Sequence, residues 1–152
     1  KAGITVSGLS AGGKGRFVTS NARITVENCV FGSLAAKTSN GPITLSGVTG
    51  GDCEAASNNA RITAEHCRFA EKLWMQTSNG PVRAEDGEAP DLTFKTANAA
   101  ITGTVVGDMR DYAISSRTSN AQNNLPMDCA YEDQAKRLWA TTSNGRIDVR
   151  FV

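Results

Sequence analysis

A short motif, Thr-Ser-Asn followed by Gly or Ala, recurs with small variations along the whole chain and constrains its fold more than any other feature. Its asparagine, called here the marker asparagine, stands at seven positions: Asn21, Asn40, Asn59, Asn79, Asn98, Asn120 and Asn144. Successive markers are separated by 19, 19, 20, 19, 22 and 24 residues. A regular period of this length indicates a repeat protein in which every repeat is one supersecondary unit.

Apolar and polar residues alternate on both sides of the marker asparagine. Three residues after it, six copies have Ile or Val: Ile24, Ile43, Ile62, Val82, Ile101 and Ile147. Apolar residues such as Phe17 and Met75 stand four residues before it, and polar residues such as Thr25 and Glu27 occupy positions in between. Because side chains alternate between the two faces of a strand, each repeat is predicted to be a strand, a turn and a second strand that face one core.

Stacking the repeats buries an apolar face that no single repeat can bury alone. We therefore predict an all-β fold, a single-stranded β-helix-like solenoid of about seven coils with a repeat of ~19 residues, formed by residues 1–152 as a single domain. The Asn and Thr columns would form hydrogen-bonded ladders, and the marker asparagines would take positive φ in their turns. The alternative is an antiparallel β-hairpin meander or sandwich. It is less favoured because Ala often replaces Gly after the marker, which a tight hairpin turn would resist.

Two repeats are longer than the others and break the pattern. One is stretched by residues 106–112, and the next has Asn123 where the pattern expects Ile. Insertions in a solenoid map to loops at one edge, and such loops often carry function. Asp108, Asp111 and Tyr112 are therefore candidate ligand-binding residues.

The two tryptophans of the chain occupy equivalent positions. Trp74 and Trp139 both stand five residues before a marker asparagine, which places them on the outward face. An exposed indole ring can stack on a sugar ring or dock a partner, so both are candidate ligand-binding residues. The alternative is that the stretched loops or a second copy of the chain cover them.

The cysteines and the single histidine do not form a recognisable metal motif. Cys29, Cys53 and Cys67 occupy apolar columns, which predicts packed free thiols, although Cys53 and Cys67 lie in one repeat and could be bridged. Cys129 lies in an irregular repeat, and His66 is interpreted as a surface residue. No C-x-x-C pair occurs, so we expect neither a metal nor a cofactor.

Charge and hydropathy limit the kinds of partner that the chain is expected to bind. With 16 Lys and Arg against 15 Asp and Glu, the net charge of +1 argues against a nucleic-acid partner. The sequence has no run of about 18 apolar residues, so we expect no membrane insertion by this segment. Arg23, Arg61 and Arg146 share one outward column, which could bind an anionic glycan or only form ion pairs that keep the face soluble. The final strand, residues 149–152, shows no cap, which would allow homo-association through coil edges.

The motif copies TSNGPI and TSNGRI, at residues 38–43 and 142–147, resemble the bacterial β-strand-repeat domains called adhesin or Toastrack domains. The resemblance covers essentially the whole chain. It implies a right-handed, β-helix-like stack, often found in cell-envelope proteins and often tethered near the membrane by an upstream segment. That family has no agreed catalytic residues, so the resemblance implies no mechanism.

The expected function is that of a noncatalytic module of a bacterial envelope or surface protein, used for adhesion, recognition or sensing of a glycan or protein. The alternatives are a carbohydrate-active enzyme, with Asp108 or Asp111 in its site, and a structural spacer that self-assembles. The chain opens at Lys1 inside a strand-like run, which suggests the C-terminal part of a longer precursor. An envelope location is favoured, and a cytoplasmic one stays open.

Overall fold

The computed structural model describes residues 3–107, 111–124, 128–129 and 136–151. They form two sheets that enclose one core. The first sheet contains β1 (Ile4–Ser7), β3 (Ile24–Glu27), β5 (Ile43–Ser46), β7 (Ile62–Glu65), β9 (Val82–Gly87), β11 (Ile101–Val105) and β15 (Ile147–Phe151). The second contains β2 (Ser10–Thr19), β4 (Val30–Thr38), β6 (Thr49–Ser57), β8 (Arg68–Gln76), β10 (Asp91–Lys95), β12 (Tyr112–Arg117), β13 (Asp128–Cys129) and β14 (Lys136–Thr141).

Neighbouring strands pair in parallel with like residues in register. Ile24 lies beside Ile43, and Ile43 beside Ile62. In the second sheet, Cys53 lies between Leu34 and Leu73. The predicted β-solenoid is therefore confirmed, and the hairpin meander is wrong because only the short β13 pairs antiparallel, with β12, among the described strands.

The core consists of the apolar columns that the period of two predicts. Ile24, Ile43 and Ile62 of the first sheet are fully buried, as are Leu73 and Met75 of the second. Residues between them point outward, so β8 alternates between buried and accessible positions from Leu73 to Gln76. Each coil thus contributes both of its strands to one continuous core.

A ladder of side-chain amides joins the marker asparagines along the stack, as the sequence predicts. Asn40 donates from Nδ2 to Oδ1 of Asn21 at 2.7 Å, and Asn59 donates likewise to Asn40 at 2.6 Å. The Thr or Ser two residues before the marker bonds instead to the backbone. The hydroxyl of Thr77 accepts from the N–H of Gly80 at 3.3 Å and donates to the carbonyl of Ala60 in the preceding coil at 3.1 Å.

Five residues with positive φ lie at the second corner of successive coils, and the expectation that the marker asparagines adopt positive φ is wrong. Gly8, Asn28, Gly47, His66 and Asp86 have φ of 66°, 51°, 62°, 52° and 51°. These are residue types that tolerate the left-handed region. The turn at the marker asparagine forms without this conformation. There the Thr or Ser hydroxyl two residues before the marker accepts from the backbone N–H of the residue after it. His66 is therefore a corner residue, and its Nδ1 lies 3.0 Å from Oδ2 of Asp86.

The last coils are stacked out of chain order. Five coils, from β1 to β10, follow one another regularly, but β14 lies between β10 and β12. Leu138 of β14 accordingly lies between Leu92 and Ile114. In the asparagine ladder, Asn144 donates to Asn98 at 2.7 Å and accepts from Asn120 at 2.5 Å. The first sheet has seven strands because β15 pairs with β11.

The edge of β15 is covered, contrary to the expectation of an uncapped final strand. Ile147 donates its N–H to the carbonyl of Gln122 at 2.9 Å, and its own carbonyl accepts from the N–H of Asn124 at 3.1 Å. The Asn124 side chain then accepts from the N–H of Val149 and donates to its carbonyl, both at 3.0 Å. An amide side chain here replaces the peptide group of a missing strand, which satisfies the edge.

Candidate functional site

The two tryptophans form one outward column on the second sheet. Trp74 of β8 and Trp139 of β14 both lie in register with Thr93 of β10, which separates them. Strands in a sheet lie 4.7–4.9 Å apart, so the two positions are about 10 Å apart along the solenoid axis. Trp139 is 43% exposed and Trp74 is partly exposed. The sequence-predicted outward position of both rings agrees with this placement.

Lysines flank the tryptophan column. Nζ of Lys95 lies 5.3 Å from the ring centroid of Trp139, a distance at which the ammonium group is attracted to the indole face. Nζ of Lys72, on the same strand as Trp74, donates to Oε1 of Glu54 at 3.1 Å, and this hydrogen bond raises the pKa of Lys72. The outer face of the second sheet therefore presents two indole rings on either side of Thr93, with the ammonium groups of two lysines beside them.

The other three candidate residues do not belong to this column. Asp108 lies outside the described residues, and Asp111 is exposed at the start of β12. Tyr112, the third candidate of the stretched repeats, is fully buried at the start of β12. Its ring contacts Phe151 at a centroid distance of 5.3 Å, and its hydroxyl donates to the carbonyl of Val106 at 2.7 Å. Burial raises the pKa of Tyr112 to about 12.

The described cysteines are packed thiols, as their columns predict. Cys29, Cys53 and Cys67 are free and buried, so the alternative bridge between Cys53 and Cys67 does not form. Burial raises the pKa of Cys67 from 9.0 to about 11 and also raises the pKa of Cys53. The side chain of Cys129 lies outside the described residues.

Across the described ranges, no group of three His, Cys, Asp or Glu side chains is placed to hold a metal ion. Nor do those ranges contain a helix of the length and hydropathy needed to cross a membrane.

A second surface feature combines two arginines of the predicted outward column, Arg61 and Arg146, with residues that the sequence did not single out. It is a trench on the outer face of the first sheet, about 590 Å³ in volume, lined by Arg61, Arg83, Arg146, Arg150, Thr102 and Gly103 among others. The arginine column is visible in the sequence, but the trench beside it also depends on the backbone and short residues of β11, which the spacing of the repeats does not report.

Fold and surface together define the class of protein: a parallel β-solenoid with a tryptophan column on one sheet and a basic trench on the other. Comparison with protein-family models, with curated proteins and with solved structures gives no match.

Proposed function

We propose that this chain is a noncatalytic recognition module of a bacterial cell-envelope or surface protein, and that its tryptophan column binds a glycan. The observation that carries the proposal is the 43% exposure of Trp139 in a column shared with Trp74. Large aromatic rings are usually mostly buried, and an accessible ring is a surface on which a sugar ring can stack. The envelope location rests on the resemblance to adhesin or Toastrack domains.

The geometry of the column suits an extended sugar chain. The two rings are about 10 Å apart, with only Thr93 between them, so one chain along the solenoid axis can contact both. Lys72 and Lys95 stand beside the rings, where their ammonium groups can donate to sugar hydroxyls. Glu54, which lies in register with Trp74 on the neighbouring strand, is engaged by Lys72, which favours binding over acid–base chemistry.

The chain offers a direct test, since Trp74 and Trp139 are its only tryptophans. Wild type is applied to a glycan array, and the best glycan is titrated while tryptophan fluorescence is followed. We expect Trp74→Ala and Trp139→Ala each to weaken binding at least about fivefold, because each removes one stacking contact, and a base stacked on an aromatic side chain contributes about 1–3 kcal/mol.

Val18→Ala is the matched control, because Val18 is 56% exposed on the same sheet but outside the column. It should bind like wild type. Absence of any glycan binding by wild type, or unchanged binding by both tryptophan variants, would contradict the proposal.

A further inference from the structure

The floor of the trench on the first sheet is low because β11 carries small residues there. Thr102 and Thr104 are short, and Gly103 has no side chain. Gly103 has φ of 147°, and a Cβ at this position would lie 1.7 Å from the carbonyl oxygen of Ala84. The pairing of β11 with β9 is irregular between Gly103 and Val105. A coil with this backbone leaves a depression between the long side chains of β9 and β15.

The charges in the trench do not cancel. Each of its three carboxylates has a partner: Glu85 contacts Arg83, Asp86 lies 3.0 Å from Nδ1 of His66, and Asp148 lies 3.7 Å from Nε of Arg150. Arg61 and Arg146 are exposed, and neither forms an ion pair with a described residue. Two guanidinium groups therefore remain available to a ligand.

These arginines belong to one column that runs along the axis of the solenoid. Backbone hydrogen bonds place its members in the order Arg23, Pro42, Arg61, Pro81, Ala100, Arg146 and Gln122. At 4.7–4.9 Å per coil, Arg61 and Arg146 are about 14 Å apart, and Arg23 lies about 10 Å beyond Arg61. The residues between the arginines are short or apolar. A smaller groove lined by Arg23, Arg61, Thr44 and Thr63 continues the trench along the same column.

The groups that line the trench, arginines beside threonines and carboxylates, select among polyanions. A strand of nucleic acid carries one phosphate charge per 3.4 Å, which would place many phosphates against three arginines and close to three carboxylates. An acidic polysaccharide instead presents carboxylates between hydroxyl groups, and these hydroxyl groups can bond to the threonines of the trench. Guanidinium groups bind carboxylates with two parallel hydrogen bonds.

We propose that the trench and the arginine column form a second binding site, separate from the tryptophan column, for an extended acidic polysaccharide that lies along the solenoid axis. Carboxylates of the polymer bind Arg61 and Arg146, and a longer chain also reaches Arg23. Sugar hydroxyls lie over the low floor formed by Thr102 and Gly103.

The test compares two hexasaccharide probes by calorimetry at low salt: hexagalacturonate and its fully methyl-esterified form, which has the same length but no charge. Wild type should bind the acidic probe at least tenfold more tightly, a difference of about 1.4 kcal/mol. The double variant Arg61→Gln/Arg146→Gln should lose this preference, and Thr102→Glu should abolish binding by placing a carboxylate on the floor.

Arg117→Gln is the matched control, since Arg117 is an exposed arginine of the second sheet. It should retain the preference, and so should Trp74→Ala and Trp139→Ala, which separates this site from the tryptophan column. Equal binding of the two probes by wild type, or an unchanged preference in the arginine double variant, would overturn the proposal. Tight binding of single-stranded DNA that displaces hexagalacturonate would also overturn it and indicate a nucleic-acid site.

Discussion

At the scale of single residues, the marker asparagines connect neighbouring coils. Asn59 donates to Asn40 at 2.6 Å and accepts from Asn79 at 2.8 Å, whereas Asn21 ends the ladder of the described residues and is joined to Asn40 alone. Each such bond contributes about 0.5–1.5 kcal/mol, and exposed bonds lie at the low end of that range. We expect Asn59→Ala to lower the free energy of unfolding by about 1–2 kcal/mol in urea denaturation, and Asn21→Ala by about half as much. Equal effects of the two substitutions would contradict the ladder.

The thiol of Cys67 makes the free energy of unfolding depend on pH in the alkaline range. Burial raises its pKa in the folded protein from 9.0 to about 11, so between these values the unfolded chain loses the proton while the folded chain keeps it. The stabilisation by the neutral thiol is complete below pH 9.0 and decreases until pH reaches about 11. Urea denaturation at a series of pH values should therefore show stability falling above pH 9. Cys67→Ala should show a smaller fall, and an equal fall in that variant would assign the effect to other groups.

The sequence predicts residues in repeated columns well and residues at corners less well. The inward position of Ile24 and the outward position of Trp139 follow from the alternation of side chains alone. The left-handed corner does not, because Asn28, Gly47, His66 and Asp86 share a tolerance for positive φ without sharing a side-chain chemistry. The close approach of Gly103 to the backbone of Ala84, which leaves no room for a Cβ, is likewise not reported by any spacing in the sequence.

At the scale of elements, part of one stretched repeat covers a strand edge. Residues 122–124 lie beside β15, and Asn124 bonds to both backbone groups of Val149. The change from an apolar residue to Asn123 marks the place where the regular repeat ends. The sequence shows that break, but it does not say which strand the irregular segment covers, because the period that aligns the other repeats is absent there.

Asn124→Ala should loosen the final strand. The substitution leaves the N–H and the carbonyl of Val149 without the side-chain amide, and it also removes the bond from Asn124 to Asp148 at 3.0 Å. We expect hydrogen exchange at the Val149 amide to become about tenfold faster, a change of about 1.4 kcal/mol in local opening. Gln122→Ala is the control, because residue 122 contributes its backbone carbonyl to the edge. Unchanged exchange at Val149 would show that the side chain of Asn124 does not protect the edge.

At the scale of the whole molecule, the order of the coils in space differs from their order in the chain. In a solenoid each coil contacts only its neighbours, so stability is approximately the sum of nearest-neighbour terms. The insertion of β14 between β10 and β12 therefore gives a C-terminal strand two neighbours. Equivalent residues still stack in register although β14 precedes β12 in the stack. The repeat pattern alone therefore does not distinguish the spatial order of the coils from their order in the chain.

Leu138→Ala tests this order, because Leu138 is fully buried between Leu92 of β10 and Ile114 of β12. Replacing a buried leucine by alanine lowers the free energy of unfolding by about 2–5 kcal/mol, and the strands that contact Leu138 should be destabilised first. Hydrogen exchange should show reduced protection in both β10 and β12. Leu34→Ala, in β4, should instead reduce protection in β2 and β6. Stacking in chain order would make β12 the neighbour of both β10 and β14, so protection of β10 that survives Leu138→Ala would contradict the inserted position of the final coil.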